Sequence, residues 1–483
     1  MTIIDKQITA GGQGSRPSQE HGAGVGIMAE QRMQETAGKA IPAGYKLTEV
    51  GIIPEDWVVI SIQNSLTEKY ILDQMDGNHG ELYPKSHEFS SFGVPYIGAT
   101  DFSNGDVDFK GCKFLPLERA KKFKKGIARN GDVLFAHNAT VGPVCLLESD
   151  FDFVILSTTA TYYRCNNDLL KNKYLAKYFC SDFFVSQYKA VMSQSTRNQV
   201  PILAQRKFLI VVPSKDEQTA IANVLSDSDA LIDALEQLIA KKQAIKSATM
   251  QQLLTGRTRL PAFALRPDGT PKGYKPSELG EIPEDWVVCF LADIANLKNG
   301  YAFKSADYCS HGKYCIVTIA CVQNGYMNIS DSNKLNKLPF DIQSHQILTR
   351  GSLLISMTGN VGRVAKVECD DLLLNQRVGL VESKSIDRDF LFYLLRNPTF
   401  LADMEEKAVG GAQGNIGKDD ILSYSLIKPV CNKEQTAIAT ILSDMDNELQ
   451  ALTQKLDKAR ALKQGMMQQL LTGKIRLPLT AGA

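Results

Sequence analysis

Apolar residues recur in alternating steps of three and four along two long segments of the chain, residues 217–256 and 434–473. This spacing places them on one face of an α-helix as a heptad seam. No proline interrupts either segment, and Gly256 and Gly473 stand at the ends, where a left-handed terminal residue suits glycine. The pattern predicts two helices of about 36 residues, each ~54 Å long.

Leucine and isoleucine dominate both seams, and polar residues interrupt the first at Ser228, Lys242, Lys246 and Thr249. The seam residues predicted to pack are Ile221, Leu225, Ile232, Leu235, Ile239 and Leu253, and Ile438, Leu442, Leu449, Leu452, Leu456 and Leu470. Because a lone helix with an apolar seam needs a partner, we expect the two helices to form an antiparallel coiled coil. Two separate helical hairpins are the alternative.

The two segments are copies of one another, since EQTAIA begins both and QQLLTG ends both. A second pair repeats upstream of each copy: YKLTEVGIIPEDWVV (45–59) and YKPSELGEIPEDWVV (274–288) contain the only tryptophans, Trp57 and Trp286. The chain is therefore a tandem of two halves. We expect PEDWVV to turn and enter a short strand, with the tryptophan as a packing anchor. The second helix would end where the N-terminal copy completes an equivalent junction.

Between the repeated segments lie two middles that align poorly with one another. Both alternate strand-like runs with turns, and each ends with a helix-like stretch, 171–188 or 387–404, and a polar loop, 193–200 or 410–420. A short loop recurs as NATVG (138–142) and TGNVG (358–362).

The predicted fold class is α+β: a tandem pseudo-two-fold repeat with two mixed, β-rich variable domains separated by two long antiparallel coiled-coil helices. The predicted segments are a leader (1–44), variable domain 1 (45–216), helix 1 (217–256), a linker (257–273), variable domain 2 (274–433), helix 2 (434–473) and a tail (474–483).

The net charge of 54 − 53 = +1 argues against DNA binding by bulk charge, although a neutral sum can conceal a local basic patch. No secretory signal or membrane-spanning run is present, so we expect a cytoplasmic protein. The ten cysteines form no CxxC pair, and the spacing of Cys309, Cys315 and Cys321 fits no common zinc motif. Buried free thiols in a reducing compartment are the expectation.

Motifs for catalysis are missing from the sequence. GGAQGNIGK (410–418) departs from a phosphate-binding loop, because Ala412 stands at the first glycine and Asp419 replaces the hydroxyl residue. HExxH and GxSxG do not occur, and the six histidines are dispersed. We therefore predict a chain that has no catalytic residues and binds neither a metal nor a cofactor.

Polar and basic side chains in the loops favour DNA binding. Arginine can pair with guanine, and asparagine or glutamine with adenine, in the major groove. Residues 110–130 carry eight lysines and arginines against Glu118, 8 − 1 = +7, which can neutralise several phosphates. A solvated charged surface is the alternative. The candidate DNA-binding residues are Lys121, Lys122, Lys124, Lys125, Arg197, Asn198, Gln199, Asn360, Arg363, Gln376, Arg377, Gln413, Asn415 and Lys418.

Taken together, the doubled segments resemble the specificity subunit of type I restriction-modification systems over about residues 45–478. The residues that carry the resemblance are VGIIPEDW and LGEIPEDW, and QQLLTGRTRL and QQLLTGKIRL. The resemblance implies a non-catalytic subunit that recognises a bipartite double-stranded DNA site. The variable domains 1 and 2 would be its target-recognition domains, called recognition domains 1 and 2 below, and each would read one half-site. The resemblance also implies helices that set the gap between half-sites and bind two methyltransferase subunits, which would carry S-adenosylmethionine and methylate adenine. Separate motor subunits would translocate and cleave DNA.

Three other functions stay open at this point. The chain could be a coiled-coil scaffold that never binds DNA, a specificity subunit of a fused restriction-methylation enzyme, or an enzyme with an unusual site. A ruler function predicts that deleting four residues from one helix changes the gap between half-sites and leaves each half-site sequence intact.

Overall fold

The computed structural model describes residues 40–77, 83–194, 197–409 and 414–478. The chain folds as two compact units: unit 1 comprises residues up to Ala234 together with those from Asp457 onward, and unit 2 comprises Leu235–Leu456. Most of the predicted leader, residues 1–39, and the last five residues of the predicted tail lie outside the described part. Among the described residues, no helix has the length and apolar composition needed to span a membrane.

Unit 1 begins with a hairpin and alternates short strands with short helices before the first long helix. Its elements are β1 (Tyr45–Thr48), β2 (Gly51–Pro54), β3 (Val58–Ser61), α1 (Ile62–Thr67), β4 (Ile71–Asp76), β5 (Val94–Ile97), β6 (Phe102–Ser103), β7 (Asp106–Val107), β8 (Lys113–Leu115), α2 (Leu117–Ala120), β9 (Ile127–Ala128), β10 (Val133–Asn138), β11 (Thr140–Leu146), β12 (Val154–Leu156), β13 (Ala160–Cys165), α3 (Asn172–Phe179), α4 (Asp182–Met192), α5 (Ile202–Gln205), β14 (Leu209–Val212) and the start of α6 (Lys215–Leu254).

Unit 2 repeats this order from its own hairpin onward, except that its described residues contain no counterpart of β6, β7 and α2. Its elements are α7 (Pro261–Ala264), β15 (Tyr274–Ser277), β16 (Gly280–Pro283), β17 (Trp286–Phe290), α8 (Leu291–Ile294), β18 (Ala295–Asn299), β19 (Tyr314–Val317), β20 (Lys334–Leu335), β21 (Ile347–Leu348), β22 (Leu353–Ser356), β23 (Val364–Lys366), β24 (Leu372–Leu374), β25 (Val378–Ser383), α9 (Arg388–Leu394), α10 (Pro398–Val409), α11 (Lys418–Leu422), β26 (Ser425–Pro429) and most of α12 (Asn432–Leu470).

The sheets of the two units have the same strand order, although the sequences of the two middles differ. Unit 1 has sheets ordered β11-β10-β13-β4 and β8-β5-β12-β9, and unit 2 has sheets ordered β23-β22-β25-β18 and β20-β19-β24-β21. Among the described residues, the named strands that pair in parallel lie in the second sheet of each unit, β5 with β12 and β19 with β24. The two middles are therefore copies of one mixed α/β domain, as the pseudo-two-fold repeat predicts.

Alternation along the central strands buries both faces of the first sheet. In unit 1, Leu134 packs with Leu156 of the second sheet, whereas Phe135 faces the other way and joins a core with Phe179 of α3 and Leu225 of α6. This second core also holds Trp57. The recognition domain and the long helix therefore share one hydrophobic core in unit 1, and the corresponding strands, helices and Trp286 do the same in unit 2.

Both long helices extend across the boundary between the units, and their segments pair antiparallel within each unit. In unit 1, Asp229 of α6 forms an ion pair with Lys463 of α12. In unit 2, Lys246 of α6 pairs with Asp446, and Lys242 with Glu448 at 2.6 Å. Residues later in α6 thus meet residues earlier in α12, which is the predicted antiparallel arrangement. The polar seam residues Lys242 and Lys246 are therefore ion-pairing positions.

Of the twelve apolar seam residues, nine are buried and three are partly exposed. The partly exposed residues are Leu235, Ile239 and Leu449. Both helices end as predicted, because Gly256 and Gly473 have φ values of +67° and +68° and sit just past the last turn. The helices begin two residues earlier than the repeated EQTAIA segments, at Lys215 and Asn432.

Each repeated tryptophan is an anchor in a junction, and its burial confirms the packing prediction. In unit 1, the Trp57 indole donates to Glu217 at the start of α6, and Arg476 from the C-terminal end bridges Glu217 and Asp56. Gly473 lies against Pro54 and Trp57, where a Cβ atom would come within 2.4 Å of Pro54. The C-terminal segment thus completes the N-terminal junction.

Unit 2 builds the equivalent junction from consecutive parts of the chain. Arg259 bridges Glu434, at the start of α12, and Asp285, next to Trp286. Gly256 packs on Trp286 as Gly473 packs on Trp57. The contacts of the fold therefore close into a circle although the chain is linear, as the doubled sequence predicts.

Each predicted helix-like stretch folds as two helices rather than one. In unit 1 the break falls at Ser181, whose hydroxyl accepts from the Phe184 N–H and caps α4. In unit 2, Pro398 occupies the first position of α10, where its missing N–H costs nothing, and the preceding residue cannot continue α9.

Candidate nucleic-acid interface

Three loops meet at one end of the first sheet of unit 1, and we call residues 138–142, 157–159 and 197–199 loop cluster 1. His137, at the end of β10, joins them: its N–H donates to the Thr159 carbonyl at 2.9 Å, and its carbonyl accepts from the Val200 N–H at 2.8 Å. The Ala139 N–H donates to the Asn198 carbonyl at 3.0 Å. Backbone hydrogen bonds therefore fix the three loops relative to each other.

Unit 2 has an equivalent cluster, which we call loop cluster 2, made of residues 358–362, 375–377 and 414–415. Met357 takes the place of His137: its N–H donates to the Arg377 carbonyl at 3.1 Å, and its carbonyl accepts from Ile416 at 3.0 Å. Thr358 and Asn415 are bridge partners. The recurring NATVG and TGNVG loops thus occupy the same place in both domains, as their positions in the sequence predict.

Seven of the fourteen candidate DNA-binding residues belong to these clusters. Cluster 1 carries Arg197, Asn198 and Gln199, and cluster 2 carries Asn360, Gln376, Arg377 and Asn415. All are exposed except Gln199, which is partly buried. Cluster 2 brings together residues from three loops that are up to 55 positions apart in the sequence, because β22 ends beside the start of β25 and Met357 after β22 is hydrogen-bonded to Arg377 and Ile416.

The remaining candidates of unit 2 are placed differently. Arg363 is partly buried, and its guanidinium donates to the Gln323 side chain at 3.0 Å. Lys418 is the exposed first residue of α11, just beyond cluster 2. Gln413 lies outside the described residues.

The lysine-rich segment of unit 1 folds as an exposed turn after α2. Lys121, Lys122, Lys124 and Lys125 are exposed, whereas Phe123 between them is buried and anchors the turn. Lys121 pairs with Glu118 at 3.1 Å, an exposed pair that water screens. The next residue, Gly126, accepts from the Leu156 N–H at 2.7 Å, immediately before cluster 1. The lysine turn therefore leads up to the edge of loop cluster 1.

Two glycines that the sequence analysis did not single out allow the clusters to close. A Cβ on Gly77 would lie 1.9 Å from the Ser157 carbonyl oxygen, and one on Gly300 would lie 2.1 Å from that of Asn375. Any side chain there would force the backbones apart. Gly77 directly follows the edge strand β4, and Gly300 directly follows the edge strand β18. A glycine at the same place in both halves was the signal available in the sequence.

An exposed aromatic residue beside cluster 2 was also missed. Phe340 has a fully exposed side chain, and the Tyr301 hydroxyl donates to the adjacent Asp341 at 2.7 Å. The Tyr301 carbonyl in turn accepts from the Gln376 N–H at 3.0 Å. Neither periodicity nor charge marks a lone phenylalanine in a polar loop, so the sequence pattern gave no signal for Phe340.

The cysteines form neither disulfides nor, among the described residues, a group suited to hold a metal with histidines or carboxylates. Four are buried, and burial raises the pKa of the Cys145 thiol to about 12, which keeps it protonated and unreactive. The expectation of buried thiols is wrong for Cys180 and Cys431, which are exposed because they lie at helix ends, after α3 and before α12.

Comparison of the chain with known proteins shows the family to which it belongs. The profile of the type I restriction modification DNA specificity domain matches residues 54–246 and 283–459, one match for each half of the tandem. Among curated proteins, the chain is 26% identical over 443 residues to the type I restriction enzyme MjaVIII specificity subunit of Methanocaldococcus jannaschii, covering 88% of this chain and 94% of that protein. It is also 26% identical over 452 residues to the putative type I restriction enzyme MjaX specificity subunit of the same organism, covering 90% and 97%.

A solved structure supports the fold independently. The crystal structure of the type I restriction-modification system S subunit from M. genitalium aligns with a TM-score of 0.54 at 15% identity, covering 86% of this chain and 96% of that one. The duplicated domain, the paired helices and the two profile matches agree. The chain belongs to the family of type I restriction-modification DNA specificity subunits.

Proposed function

We propose that this chain recognises a bipartite DNA target, with residues 45–216 reading one half-site through loop cluster 1 and residues 274–433 reading the other through loop cluster 2. The observation that carries the proposal is that two domains of identical strand order present different exposed side chains at equivalent loops. Arg197 and Gln199 in one cluster, and Arg377 and Asn415 in the other, supply the hydrogen-bonding groups that discriminate bases.

Phosphate binding would come from the basic residues next to the clusters. The lysine turn of unit 1 carries four exposed lysines, and the hydrogen bond from Leu156 to Gly126 joins its end to the residue before cluster 1, although the whole chain has a net charge of only +1. Positive charge is thus concentrated near the loops proposed to contact bases, and it would position the duplex without reading its sequence.

The paired helices are the proposed docking surface for two methyltransferase subunits. Helix α6 exposes Leu231, Leu238 and Ile245 at intervals of seven residues, away from the buried seam. We expect the methyltransferase subunits to bind S-adenosylmethionine and methylate adenine, and separate motor subunits to translocate and cleave DNA. This chain would then supply recognition alone.

Mapping methylated adenines in the host, with and without this gene, tests the proposal. A two-part methylated motif that disappears on deletion of the gene and returns on complementation is the expected result. An unchanged adenine methylome would contradict it. A purified chain that transfers labelled methyl groups to DNA by itself would instead indicate an enzyme.

A DNA-binding assay tests the phosphate contacts. Replacing Lys121, Lys122, Lys124 and Lys125 together by alanine should weaken binding of the complex with methyltransferase subunits at every sequence. It should also reduce the slope of log affinity against log salt by about three to four, since each phosphate contact contributes ~0.9. The four-alanine replacement of Lys69, Lys173, Lys384 and Lys474, which are exposed and lie outside the loop clusters and the long helices, is the control. Equal slopes for the two variants would remove the lysine turn from the interface, and no salt-dependent binding at all would favour a scaffold.

A further inference from the structure

Recognition domain 1 contains a buried polar network directly beneath loop cluster 1. Its five members are Gln74, His137, Thr161, Tyr163 and Gln205, and all of them are buried. Buried polar side chains are costly unless their hydrogen bonds are made, so such a group needs a structural explanation.

Gln205 of α5 is the centre of this network. Its Oε1 accepts from the Tyr163 hydroxyl at 2.6 Å, and its Nε2 donates to the Thr161 hydroxyl at 3.2 Å. The same Nε2 donates to the carbonyl of Val200 at 2.8 Å. One buried amide therefore joins the sheet under the cluster to the residue that follows Gln199.

His137 connects the network to the other two loops. Its Nδ1 lies 2.9 Å from the Thr161 hydroxyl, while its backbone makes the hydrogen bonds to Thr159 and Val200 that fix the cluster. The Thr161 hydroxyl accepts from Gln205 and can at the same time donate its own proton to His137. The hydrogen bonds thus lead from Gln205 to all three loops of cluster 1.

Recognition domain 2 lacks this network at every corresponding position. The strand pairings Phe135–Thr161 and Tyr163–Gln74 in unit 1 correspond to Ile355–Gly379 and Val381–Leu297 in unit 2. The short helix α5 and the loop before it align with α11 and the loop before that helix. In this alignment the five polar residues, Gln74, His137, Thr161, Tyr163 and Gln205, correspond in that order to Leu297, Met357, Gly379, Val381 and Ile421. The buried polar layer is therefore not required by the fold.

The two domains also differ at the second position after the third loop. In unit 1 this is Pro201, which has no N–H, and the Gln205 amide instead holds the carbonyl of the preceding Val200. In unit 2 it is Gly417, whose N–H donates to the exposed Asp420 carboxylate at 2.7 Å. One domain therefore holds its loop from the interior, and the other holds it from the surface.

We propose that Gln205 is a positioning residue for DNA recognition, and that its buried hydrogen-bond network, through His137, fixes loop cluster 1 and thereby sets how strictly the first half-site is read. This inference rests on the proposed function and adds to it a residue that touches no DNA. Asp420 has the corresponding part for loop cluster 2 and the second half-site.

The experiment measures methylation by the complex of this chain with its methyltransferase subunits on a DNA library randomised in both half-sites. Gln205→Met keeps the size of the side chain and removes the hydrogen bonds. We expect its discrimination to fall about tenfold at one or more positions of half-site 1, because a loop that is no longer held in place tolerates a mismatched base pair. Half-site 2 should be read as in the wild type.

Matched variants separate positioning from general stability. Ile421→Met, at the corresponding buried position of unit 2, should leave both half-sites unchanged, and Asp420→Ala should relax half-site 2 alone. His137→Met introduces the residue that unit 2 has at that position, and should relax half-site 1 if Gln205→Met folds poorly.

Wild-type discrimination at half-site 1 in both folded variants would overturn the inference. So would failure of both to fold, because the network would then serve the stability of unit 1 rather than loop position. Equal relaxation of both half-sites would also overturn it. The wild-type arm tests the proposed function separately, since a wild-type complex that methylates no two-part motif would overturn that function and this inference with it.

Discussion

At the scale of single residues, the aspartate next to the tryptophan in each PEDW segment forms an ion pair with an arginine of the junction. Asp285 accepts from Arg259 at 2.7 Å and from Lys272 at 2.8 Å. Burial alone would raise the pKa of Asp285, but the hydrogen bonds from Arg259 and Lys272 outweigh it and lower the pKa from 3.8 to about 2. Ionised Asp285 therefore stabilises the folded junction.

A carboxyl group whose pKa is lower in the folded state adds stability above its unfolded pKa, and that stability is lost as the pH falls towards the folded value. Between about pH 5 and about pH 2, the free energy of unfolding of the wild type should therefore fall. We predict that this fall is ~1 kcal/mol larger than the fall for Asp285→Asn over the same pH range. The figure is small because solvent screens a partly exposed group. Denaturant titrations at several pH values measure it.

Glu278→Gln provides the control, because this exposed carboxyl lies at the turn of the same hairpin. Its pH dependence should match that of the wild type. Parallel curves for the wild type and Asp285→Asn would show that the junction does not depend on the charge of Asp285.

At the scale of secondary-structure elements, an aspartate at the same place in each repeat ties a recognition-domain helix to the paired helices. Asp446 of α12 accepts from Lys246 of α6, and from Tyr393 and Arg396 at the end of α9. In unit 1, Asp229 of α6 accepts from Lys463 of α12 and Lys177 of α3. The two junctions differ in burial, since the Lys246 side chain is 7% exposed and that of Lys463 is 29% exposed.

This difference predicts unequal costs for the same substitution. Asp446→Ala leaves Lys246 and Arg396 buried without their carboxylate, and we expect a loss of ~2–4 kcal/mol in unfolding free energy. Asp229→Ala should cost about 1 kcal/mol, because Lys177 and Lys463 can turn to water. Chemical denaturation of the two variants measures both losses.

Glu448→Ala serves as the surface reference, since the Lys242–Glu448 pair is the more exposed pair of α6 and α12 in unit 2. It should cost less than Asp446→Ala. If Asp229→Ala proved as costly as Asp446→Ala, burial would not be the property that decides the strength of these contacts.

At the scale of the whole molecule, the duplication of sequence is matched by a duplication of structure. Each unit has its own junction, its own helix pairing and its own loop cluster. Helix α6 has 40 residues and helix α12 has 39, and both contribute residues to the two units. We propose that their length sets the gap between the half-sites.

Removing one heptad from the middle of each long helix tests this proposal while preserving the seam. Seven residues contribute about 10 Å of helix, and we expect the gap between half-sites to shorten by about three base pairs. The sequence of each half-site should stay the same. Mapping of methylated adenines would show the new gap, and an unchanged gap would exclude the helices as the ruler.

The sequence by itself determined the elements that depend on local periodicity and repetition. The heptad seams gave the long helices and their partnership, because burial of one helical face requires residues at fixed steps. The duplicated junction followed from repetition, since similar segments bring together an arginine, an aspartate and a glutamate in both units. The helix breaks at Ser181 and Pro398 also had local causes, a capping hydroxyl and a proline.

Only the tertiary structure decided which loops meet. The residues of loop cluster 2 come from three separated loops, and their proximity follows from strand order, which no local pattern encodes. The same holds for the network of Gln205 and His137: each polar residue looks ordinary in its own segment, and only folding brings the five together beneath cluster 1. Long-range hydrogen bonds join residues that sequence spacing cannot relate, so the fold decides how the loops of cluster 1 are positioned.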